Sequence, residues 1–498
     1  MTFSPDTGAV PPPGCPAHTG GTGHAAREPL YGPEFAADPH AVYARLRQYG
    51  PTAPVELAPG VHATLVTGYQ AALEVLRSPE KFAKDARRWK ALADGRVAPD
   101  NPVVPMMHYR PNCLFNDGET HARLRQPVTD SLDRVDPNAL RGYVERSADT
   151  LIDRFAPTGE ADLLGDYAKV LPLQVFQQLF GCPPALGERL VKGMSGIFDG
   201  VDAERANALL TETCIELISL KRRQPGADIT SWMLAHPVRL TDEEMIHQLV
   251  VLMGAGTEPQ QNLITNALRL LLSDDRFAGD LSGGSLPVDD ALDEVLWLDP
   301  PMANYAIHYP VHDLDFGGVR LLEGEPVVIS LAAANNDPAL VSDHRAGNRA
   351  HLAWSAGPHT CPSKDAARLI AAVAVEKLLD RIPDIELAVP ADQLTWRPGP
   401  FARALAALPV RFPPVPLTVT TPLPTQVSAP EAVPARDHID PTSGDSRWNA
   451  SQASQAPSSQ APSSSTPQGA TSTPRQPGSA PRGPRRLWSS LAAWWHGR

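Results

Sequence analysis

The chain has 498 residues, 42% of them hydrophobic, and a formal net charge of −12 at pH 7. This length and composition allow a large buried core, and the acidic balance argues against a nucleic-acid-binding protein. The five cysteines, at positions 15, 113, 182, 214 and 361, show no paired spacing, so we expect neither a disulfide framework nor a zinc site. The chain also lacks a signal pattern and an apolar run of about 18 residues, which favours a cytoplasmic protein.

Composition separates the chain into four segments. Residues 1–27 are rich in Pro and Gly, and residues 415–484 are dense in Pro, Ser, Thr, Gln and Ala, so both are predicted to be flexible or disordered. Residues 28–414 remain as a single large domain. Residues 485–498 predict a short amphipathic helix, suited to a peripheral membrane contact or a partner groove. The alternative for this tail is a disordered end with incidental tryptophans. The apolar side of the tail consists of Leu487, Leu491, Trp494 and Trp495.

Hydrophobic periodicity predicts a mainly α fold with small β-sheets, in the α+β class. The strongest helix signal is the capping box Thr241–Glu244, which begins a long helix. The predicted elements, in chain order, are a short helix within 30–50, a strand at 63–67, a helix at 71–76, a largely helical stretch at 139–233, the long helix to about residue 272, a helix at 288–298, short strands within 304–331 and a helix at 364–382.

The stretch around Cys361 is a candidate for the chemistry of the protein. Cys361 lies in a turn rich in Gly, Pro and Ser, directly ahead of the helix predicted from Lys364. The positive end of a helix dipole favours the thiolate, which is a nucleophile or a soft metal ligand. His359 can donate a hydrogen bond to a neighbouring anion, and Gly357 permits a backbone that turns close to a flat ligand. The alternative is that Cys361 is a small buried side chain.

A second candidate is the pair His121 and Arg125. The two residues are four positions apart and therefore share one face of a helix. Two cationic donors on one face suit a pair of carboxylates or a phosphate. The alternative is a solvated, basic start of a helix.

The third candidate lies in the middle of the long helix, at residues 254–259. Pro259 has no backbone N–H and removes the helical hydrogen bond to the carbonyl of Ala255. The loss of this hydrogen bond, together with the small residues Ala255 and Gly256, opens the helix backbone locally. A flat ligand or dioxygen can then approach. The alternative is a simple kink.

In their order along the chain, these three segments resemble those of the cytochrome P450 superfamily, the haem-thiolate monooxygenases, in its bacterial soluble form. The haem-binding loop of that family reads Phe-Gly-x-Gly-x-His/Arg-x-Cys-x-Gly. Gly357, His359 and Cys361 match this pattern. Trp354, Ser355 and Ser363 stand where the family has Phe and two glycines.

The resemblance implies a haem b cofactor, iron protoporphyrin IX, with Cys361 as the iron ligand. It implies that the haem propionates contact four residues, namely His121, Arg125, His308 and His359. It places Ala255, Gly256 and Glu258 at the oxygen-side groove of the long central helix. The segment from 87 to 107 corresponds to the loop that lines the substrate pocket.

The chain departs from the family at two positions. Pro259 stands where the family has a threonine that relays protons during oxygen activation, which places ordinary oxygen activation in doubt. Glu294 of the family's Glu-x-x-Arg motif is present, but Trp297 replaces the arginine, as in a minority group of actinobacterial members with Glu-x-x-Trp. A buried carboxylate without its cation is costly. We expect Glu294 to be satisfied by the Trp297 indole, by an arginine such as Arg345, or by a proton.

The implied reaction is oxygen insertion into a small organic substrate, with electrons from NAD(P)H delivered through a ferredoxin reductase and a ferredoxin. Lys364 and Arg368, close to the thiolate, offer docking charge to an acidic ferredoxin. An alternative within the fold is a catalytically atypical haem protein with a regulatory or ligand-sensing role, docked to partners through its C-terminal tail. A serine hydrolase is an alternative from another class, because residues 353–357 nearly match a nucleophile elbow. Pro358 argues against the helix that such an elbow requires.

Overall fold

The computed structural model describes residues 27–199, 203–274, 276, 288–340 and 347–416. The predicted flexible segment 1–27, apart from its last residue, lies outside the described residues. The same holds for the predicted linker 415–484, apart from its first two residues, and for the predicted amphipathic tail 485–498. Residues 415 and 416 continue the folded unit, because the backbone N–H of Val415 donates to the carbonyl of Ala156 at 2.8 Å.

Helices make up most of the described chain, as predicted. None of them is long and apolar enough to cross a bilayer. Two shorter helical segments matter for the site: a π-helix at Leu163–Ala168 and a 3₁₀ turn at Gly357–His359. The α-helices of the described chain are α1 Pro33–Ala37, α2 Pro39–Leu46, α3 Tyr69–Arg77, α4 Lys90–Ala93, α5 Val104–Met107, α6 Gly118–Leu132, α7 Pro137–Phe155, α8 Leu171–Leu179, α9 Pro184–Asp199, α10 Ala203–Arg223, α11 Ile229–Ala235, α12 Asp242–Ser273, α13 Val288–Leu298, α14 Leu331–Asn335 and α15 Lys364–Arg381.

The strands form small sheets at the edge of the helical body. Those of the described chain are β1 Glu28–Pro29, β2 Thr52–Ala58, β3 Val61–Val66, β4 Phe82–Ala83, β5 Glu160–Asp162, β6 Ala306–Pro310, β7 Leu314–Phe316, β8 Val319–Leu321, β9 Val327–Ile329, β10 Glu386–Leu387 and β11 Pro409–Arg411. A mixed sheet of six strands has the order β1-β2-β3-β9-β6-β4, in which β1/β2 and β3/β9 are parallel. Its edge pair β4/β6 is antiparallel, with Ala83 opposite Tyr309. Because of this pairing, the residue after β4 lies close to His308.

The long helix α12 begins at the predicted capping box and continues for 32 residues. The Thr241 hydroxyl accepts from the N–H of Glu244 at 3.2 Å, and the Glu244 carboxylate accepts from the N–H of Thr241 at 2.9 Å. Two of the unpaired N–H groups at the helix start are satisfied in this way.

Helix α12 passes through Pro259 without a break, although a proline inside a helix costs about 3 kcal/mol. The residues after the proline are deeply buried, among them Leu263, Ile264, Leu268 and Leu271. Burying four such side chains contributes about 6 kcal/mol or more, which exceeds that cost. Tertiary packing therefore maintains the helix where its local sequence would interrupt it. The same core cluster contains residues of α7, α13 and α15.

The segment predicted to line the substrate pocket is anchored on a second core cluster beside the mixed sheet. Trp89, Val97, Val104 and Met107 are all buried in this cluster. The segment is therefore a packed part of the fold that contains two short helices, α4 and α5.

Candidate active site

We call residues 351–363, which follow α14 and lead into α15, the cysteine loop. Backbone hydrogen bonds within this loop hold it in place. The N–H of Cys361 donates to the carbonyl of Trp354 at 2.9 Å, and the N–H of Ser355 donates to the carbonyl of Leu352 at 2.7 Å. Cys361 is half-buried, and its Sγ lies 3.6 Å from the Ser363 hydroxyl. The sulfur is therefore presented just ahead of a helix N-terminus, as the sequence predicts.

Two residues of this loop adopt left-handed backbone conformations. Gly357 has φ +68°, and a Cβ there would lie 2.1 Å from the carbonyl oxygen of Leu76 in α3. Glycine is thus required by the contact between the loop and α3, in addition to any room that it leaves for a ligand. Ser355 has φ 62° although it is not glycine. A non-glycine residue in this conformation costs about 1 kcal/mol.

Helix α6 and the cysteine loop bring three predicted residues together. The rings of His121 and His359 have centroids 4.1 Å apart. Arg125 donates through Nη2 to the carbonyl of Thr360 at 2.5 Å. The His359 Nε2 also lies 3.5 Å from the Oδ1 of Asp117.

The fourth predicted residue, His308, is buried in β6, where its Nδ1 donates to the carbonyl of Ala306 at 3.1 Å. Beside it lies Lys84, which sequence reasoning missed. Lys84 is only 7% exposed, and its Nζ donates to the carbonyl of Ile307 at 2.9 Å. Strand alternation does not reveal it, because the neighbouring Phe82 and Ala83 are both buried as well. We call Lys84, His121, Arg125, His308 and His359 the cation cluster.

Burial disfavours the charged forms of Lys84 and of the three histidines in the cation cluster. It lowers the pKa of His121 to about 4, an effect to which the nearby His359 and Arg125 add. It also lowers the pKa of Lys84 to about 8 and the pKa of His308 well below its usual value. The His121 Nε2 is buried and has no hydrogen-bond partner among the described residues. An unsatisfied buried ring nitrogen of this kind is rare and indicates a hydrogen-bond partner from outside the chain.

Asp117 is an acid in contact with this cluster. Burial raises the pKa of its carboxyl, but the nearby His359 ring and the N–H groups of Lys84 and Asp85 outweigh that effect and lower the pKa overall. Both backbone N–H groups donate to its Oδ2, at 2.8 and 3.2 Å. Asp117 is therefore an ionised carboxylate that binds the backbone just after β4 and contacts His359.

The three residues predicted at the groove of the central helix face different surroundings. Ala255 is exposed in the middle of α12. A Cβ on Gly256 would lie 2.5 Å from the ring of Phe176, so the absence of a side chain there permits the packing of α8. Glu258 forms an ion pair with Arg397 and accepts a hydrogen bond from Gln261 at 2.8 Å.

Of the three partners expected for Glu294, the structure shows an arginine, although a different one from Arg345. The Glu294 side chain is 19% exposed and pairs with Arg276 at 3.2 Å. Arg345 lies outside the described residues. The Trp297 indole N–H donates instead to the carbonyl of Asn348 at 2.7 Å. The sequence missed Arg276 because no local pattern joins it to α13.

The structure also corrects the docking role predicted for Arg368. Its side chain is 12% exposed, and it forms ion pairs with Asp293 and, at 2.9 Å, with Asp289. A guanidinium held in this way does not present its charge to a partner. Lys364, at the start of α15, is exposed.

The residues brought together fit an iron porphyrin. A thiol ahead of a helix suits iron. A cluster of buried cationic donors, with an unsatisfied nitrogen on His121, suits the two propionates. Fold and site together define the class of haem-thiolate proteins.

Comparisons with known proteins agree with this class. The chain is 34% identical over 395 residues to the cytochrome P450 monooxygenase PikC of Streptomyces venezuelae, covering 76% of this chain and 92% of that protein. It is 33% identical over 391 residues to cytochrome P450 107B1 of Saccharopolyspora erythraea, covering 76% and 96%. No family model matches.

Solved structures give the same result. CYP154C4 from Streptomyces sp. W2061 aligns with a TM-score of 0.69 at 29% identity, covering 78% of this chain and 98% of that one. CYP154A1 from Streptomyces coelicolor A3(2) aligns with a TM-score of 0.68 at 29% identity, covering 78% and 100%. The chain belongs to the cytochrome P450 family of monooxygenases, oxidoreductases that carry haem b.

The serine hydrolase alternative is therefore wrong. Ser355 is followed by the 3₁₀ turn Gly357–His359 and by Cys361, and α15 begins only at Lys364. A nucleophile elbow needs a helix immediately after its serine.

Proposed function

We propose that this chain inserts one oxygen atom into a small organic substrate, with electrons taken from NAD(P)H through a ferredoxin reductase and a ferredoxin. The observation that carries the proposal is the presentation of Cys361 ahead of α15, beside a cluster of buried cations. In this proposal Cys361 binds the iron as a thiolate. When bound, the haem supplies one-electron and dioxygen chemistry, with a thiolate that favours O–O cleavage.

The cation cluster is proposed to bind the haem propionates. His121 contributes its unsatisfied Nε2, and Arg125, His308 and His359 contribute further donors. Lys84 extends the set predicted from the sequence. A pair of carboxylates placed among these groups stabilises their charged forms, which burial disfavours in the protein alone.

Glu258 is proposed to be the proton source at the groove of the central helix, where Pro259 replaces a threonine. Thr257 does not take over the task of that threonine, because it is buried and its hydroxyl donates to the carbonyl of Met253 at 2.5 Å. Glu258 is the acid of this stretch, it is paired with Arg397, and it lies three positions after Ala255 on the same face of α12.

The electron donor is proposed to dock near Lys364. This residue is exposed three positions after Cys361, so a small acidic ferredoxin bound there would stand close to the thiolate. Arg368 contributes no docking charge, because Asp289 and Asp293 hold it.

The names of the relatives describe a broad range of substrates. They include 6-deoxyerythronolide B hydroxylase, vitamin D(3) 25-hydroxylase and 2-hydroxy-5-methyl-1-naphthoate 7-hydroxylase. We propose a hydrophobic, cyclic substrate for this chain. Ligand-induced difference spectra against macrolactones, sterols and aromatic acids would identify the class.

The ligand assignment is tested by Cys361→Ser. The reduced carbonyl complex of the wild type should show the red-shifted Soret band that reports a thiolate ligand, and the variant should lose it. Cys182→Ser is the matched control, because Cys182 is a half-buried cysteine for which burial raises the pKa to about 12. A Cys361→Ser protein that kept the shifted band would refute the assignment.

The role of Pro259 is tested by Pro259→Thr. Restoring a hydroxyl and a backbone N–H should raise the fraction of consumed oxygen that appears as product. The measurement is the ratio of product to oxygen consumed with a surrogate ferredoxin. An unchanged ratio would mean that protons reach the groove by another path.

A regulatory haem protein that does not hydroxylate is the second candidate, and the proline inside the unbroken helix α12 favours it. Turnover of a substrate panel separates the two. Product above the uncoupled background supports the monooxygenase, whereas ligand-induced spectral shifts without product support the sensor.

A further inference from the structure

Helix α13 carries two adjacent acids with different surroundings. Successive residues of a helix are rotated by about 100°, so Asp293 and Glu294 point in different directions. Asp293 is only 8% exposed, whereas the side chain of Glu294 is 19% exposed and pairs with Arg276. The buried carboxylate of this helix is therefore Asp293 and not the acid of the Glu-x-x-Trp pattern.

Two arginines from either side of the cysteine loop bind Asp293. Arg349 precedes the loop, and its Nε donates to Oδ2 of Asp293 at 3.1 Å. Arg368 lies in α15, after the loop, and donates to Oδ1 of Asp293 and, at 2.9 Å, to Asp289. One carboxylate thus connects both ends of the loop to a single helix. We call Asp289, Asp293, Arg349 and Arg368 the loop clamp.

Neutral contacts strengthen the side of the clamp that precedes the loop. The Trp297 indole donates to the carbonyl of Asn348 at 2.7 Å, and its ring packs edge-on against His351 at 5.7 Å. The amide of Asn335 donates to the carbonyl of Leu296 at 2.9 Å and accepts from the N–H of Leu352 at 2.7 Å. The backbone that leads into the loop is thus fixed to α13 without an arginine at position 297.

We propose that Asp293, rather than Glu294, is the positioning residue that holds Cys361 in its place. It acts through Arg349 and Arg368, and Trp297 secures the adjacent backbone. The physical reason is that removing one partner of a buried ion pair leaves an uncompensated charge, which the surrounding structure must move to accommodate. The inference rests on the proposal that Cys361 binds the haem iron.

The experiment compares Asp293→Asn with Glu294→Gln in the full-length, haem-loaded protein. Both variants replace a carboxylate by an amide on the same helix. For Asp293→Asn we expect much of the reduced carbonyl complex to lose the red-shifted Soret band. We also expect transfer of haem to apomyoglobin to become at least about tenfold faster. For Glu294→Gln we expect the wild-type band and a transfer rate within about twofold of the wild type.

Arg349→Gln keeps the test decisive if Asp293→Asn does not fold. The Arg349 side chain is 56% exposed, so its loss should be tolerated by the fold while releasing one end of the loop. Arg349→Gln should lower the fraction of the reduced carbonyl complex that shows the red-shifted Soret band. Asp293→Glu, which keeps a carboxylate, should retain more of this band than Asp293→Asn.

Either of two results would overturn the inference. One is an effect of Glu294→Gln as large as that of Asp293→Asn. The other is a wild-type band in Asp293→Asn and Arg349→Gln alike. A wild-type protein that itself lacks the shifted band would contradict the thiolate assignment instead, so the two failures are distinguishable.

Discussion

The loop clamp and the cation cluster are two groups of ionisable side chains that contact or flank the same cysteine loop. In the clamp, Asp289 and Asp293 face Arg349 and Arg368, so the charges balance within the protein. The cation cluster contains Lys84, Arg125 and three histidines whose charged forms burial disfavours, and it borders the carboxylate of Asp117. The clamp is therefore neutral overall, whereas we propose that the cation cluster is completed by the haem propionates.

The pKa values express this difference. In the clamp, the hydrogen bond from Arg349 to Asp293 raises the pKa of the arginine, so its charge is stabilised. In the cation cluster, burial lowers the pKa of His121 to about 4 and that of Lys84 to about 8. The charged form of a side chain is favoured where the protein supplies a partner of opposite charge. It is disfavoured where burial is not offset by such a partner.

The largest expected effect concerns Arg368 in the clamp. Arg368→Ala leaves Asp293 buried with one partner and should lower the free energy of unfolding by about 3 kcal/mol. Arg349→Ala removes a largely exposed partner and should cost less than about 1 kcal/mol. Urea denaturation of the holoprotein measures both.

A double variant sharpens this comparison. If the clamp is balanced, Asp293→Ala combined with Arg368→Ala should cost less than the sum of the two single changes. Strict additivity would show that the two charges do not depend on each other, which would contradict the clamp.

The next effect concerns Lys84 in the cation cluster. Its pKa falls from 10.5 to about 8, so the protonated side chain destabilises the haem-free protein by roughly 3 kcal/mol below pH 8. Lys84→Met removes this penalty but loses a hydrogen bond worth about 1 kcal/mol. The variant should therefore stabilise the haem-free protein at pH 7 by about 2 kcal/mol and yet release haem faster.

The pH dependence provides the control for Lys84. A base with a depressed pKa carries its penalty below the folded value, and the penalty fades as pH rises from about 8 to 10.5. The advantage of Lys84→Met should therefore shrink over this range in urea denaturation of the haem-free protein. An advantage that is independent of pH would mean that the lysine is not charged in the folded protein.

The smallest effect lies in the loop between the two groups. Ser355 occupies a left-handed conformation, so Ser355→Gly should stabilise the protein by about 1 kcal/mol. Ser363→Gly is the matched control, because Ser363 has φ −117° and gains nothing from glycine. Equal shifts of the melting temperature in the two variants would rule out strain at Ser355.

The sequence by itself determined the order of the elements and indicated the residues of the candidate site. Capping boxes, helical spacing and the position of a cysteine before a helix are local features, since the residues that create them are neighbours in the chain. The bounds of α12, α13 and α15 follow from them. The pairing of His121 with Arg125 on one face follows from helical geometry alone.

Only the tertiary structure decided which charges meet. Asp293 and Arg368 are 75 positions apart, and nothing local distinguishes Asp293 from its neighbour Glu294 as the buried acid. The burial of Lys84 likewise depends on the pairing of β4 with β6, two strands far apart in the chain. The energy of a charge depends on its burial and on its nearest opposite charge. Both are set by segments that only the folded chain brings together.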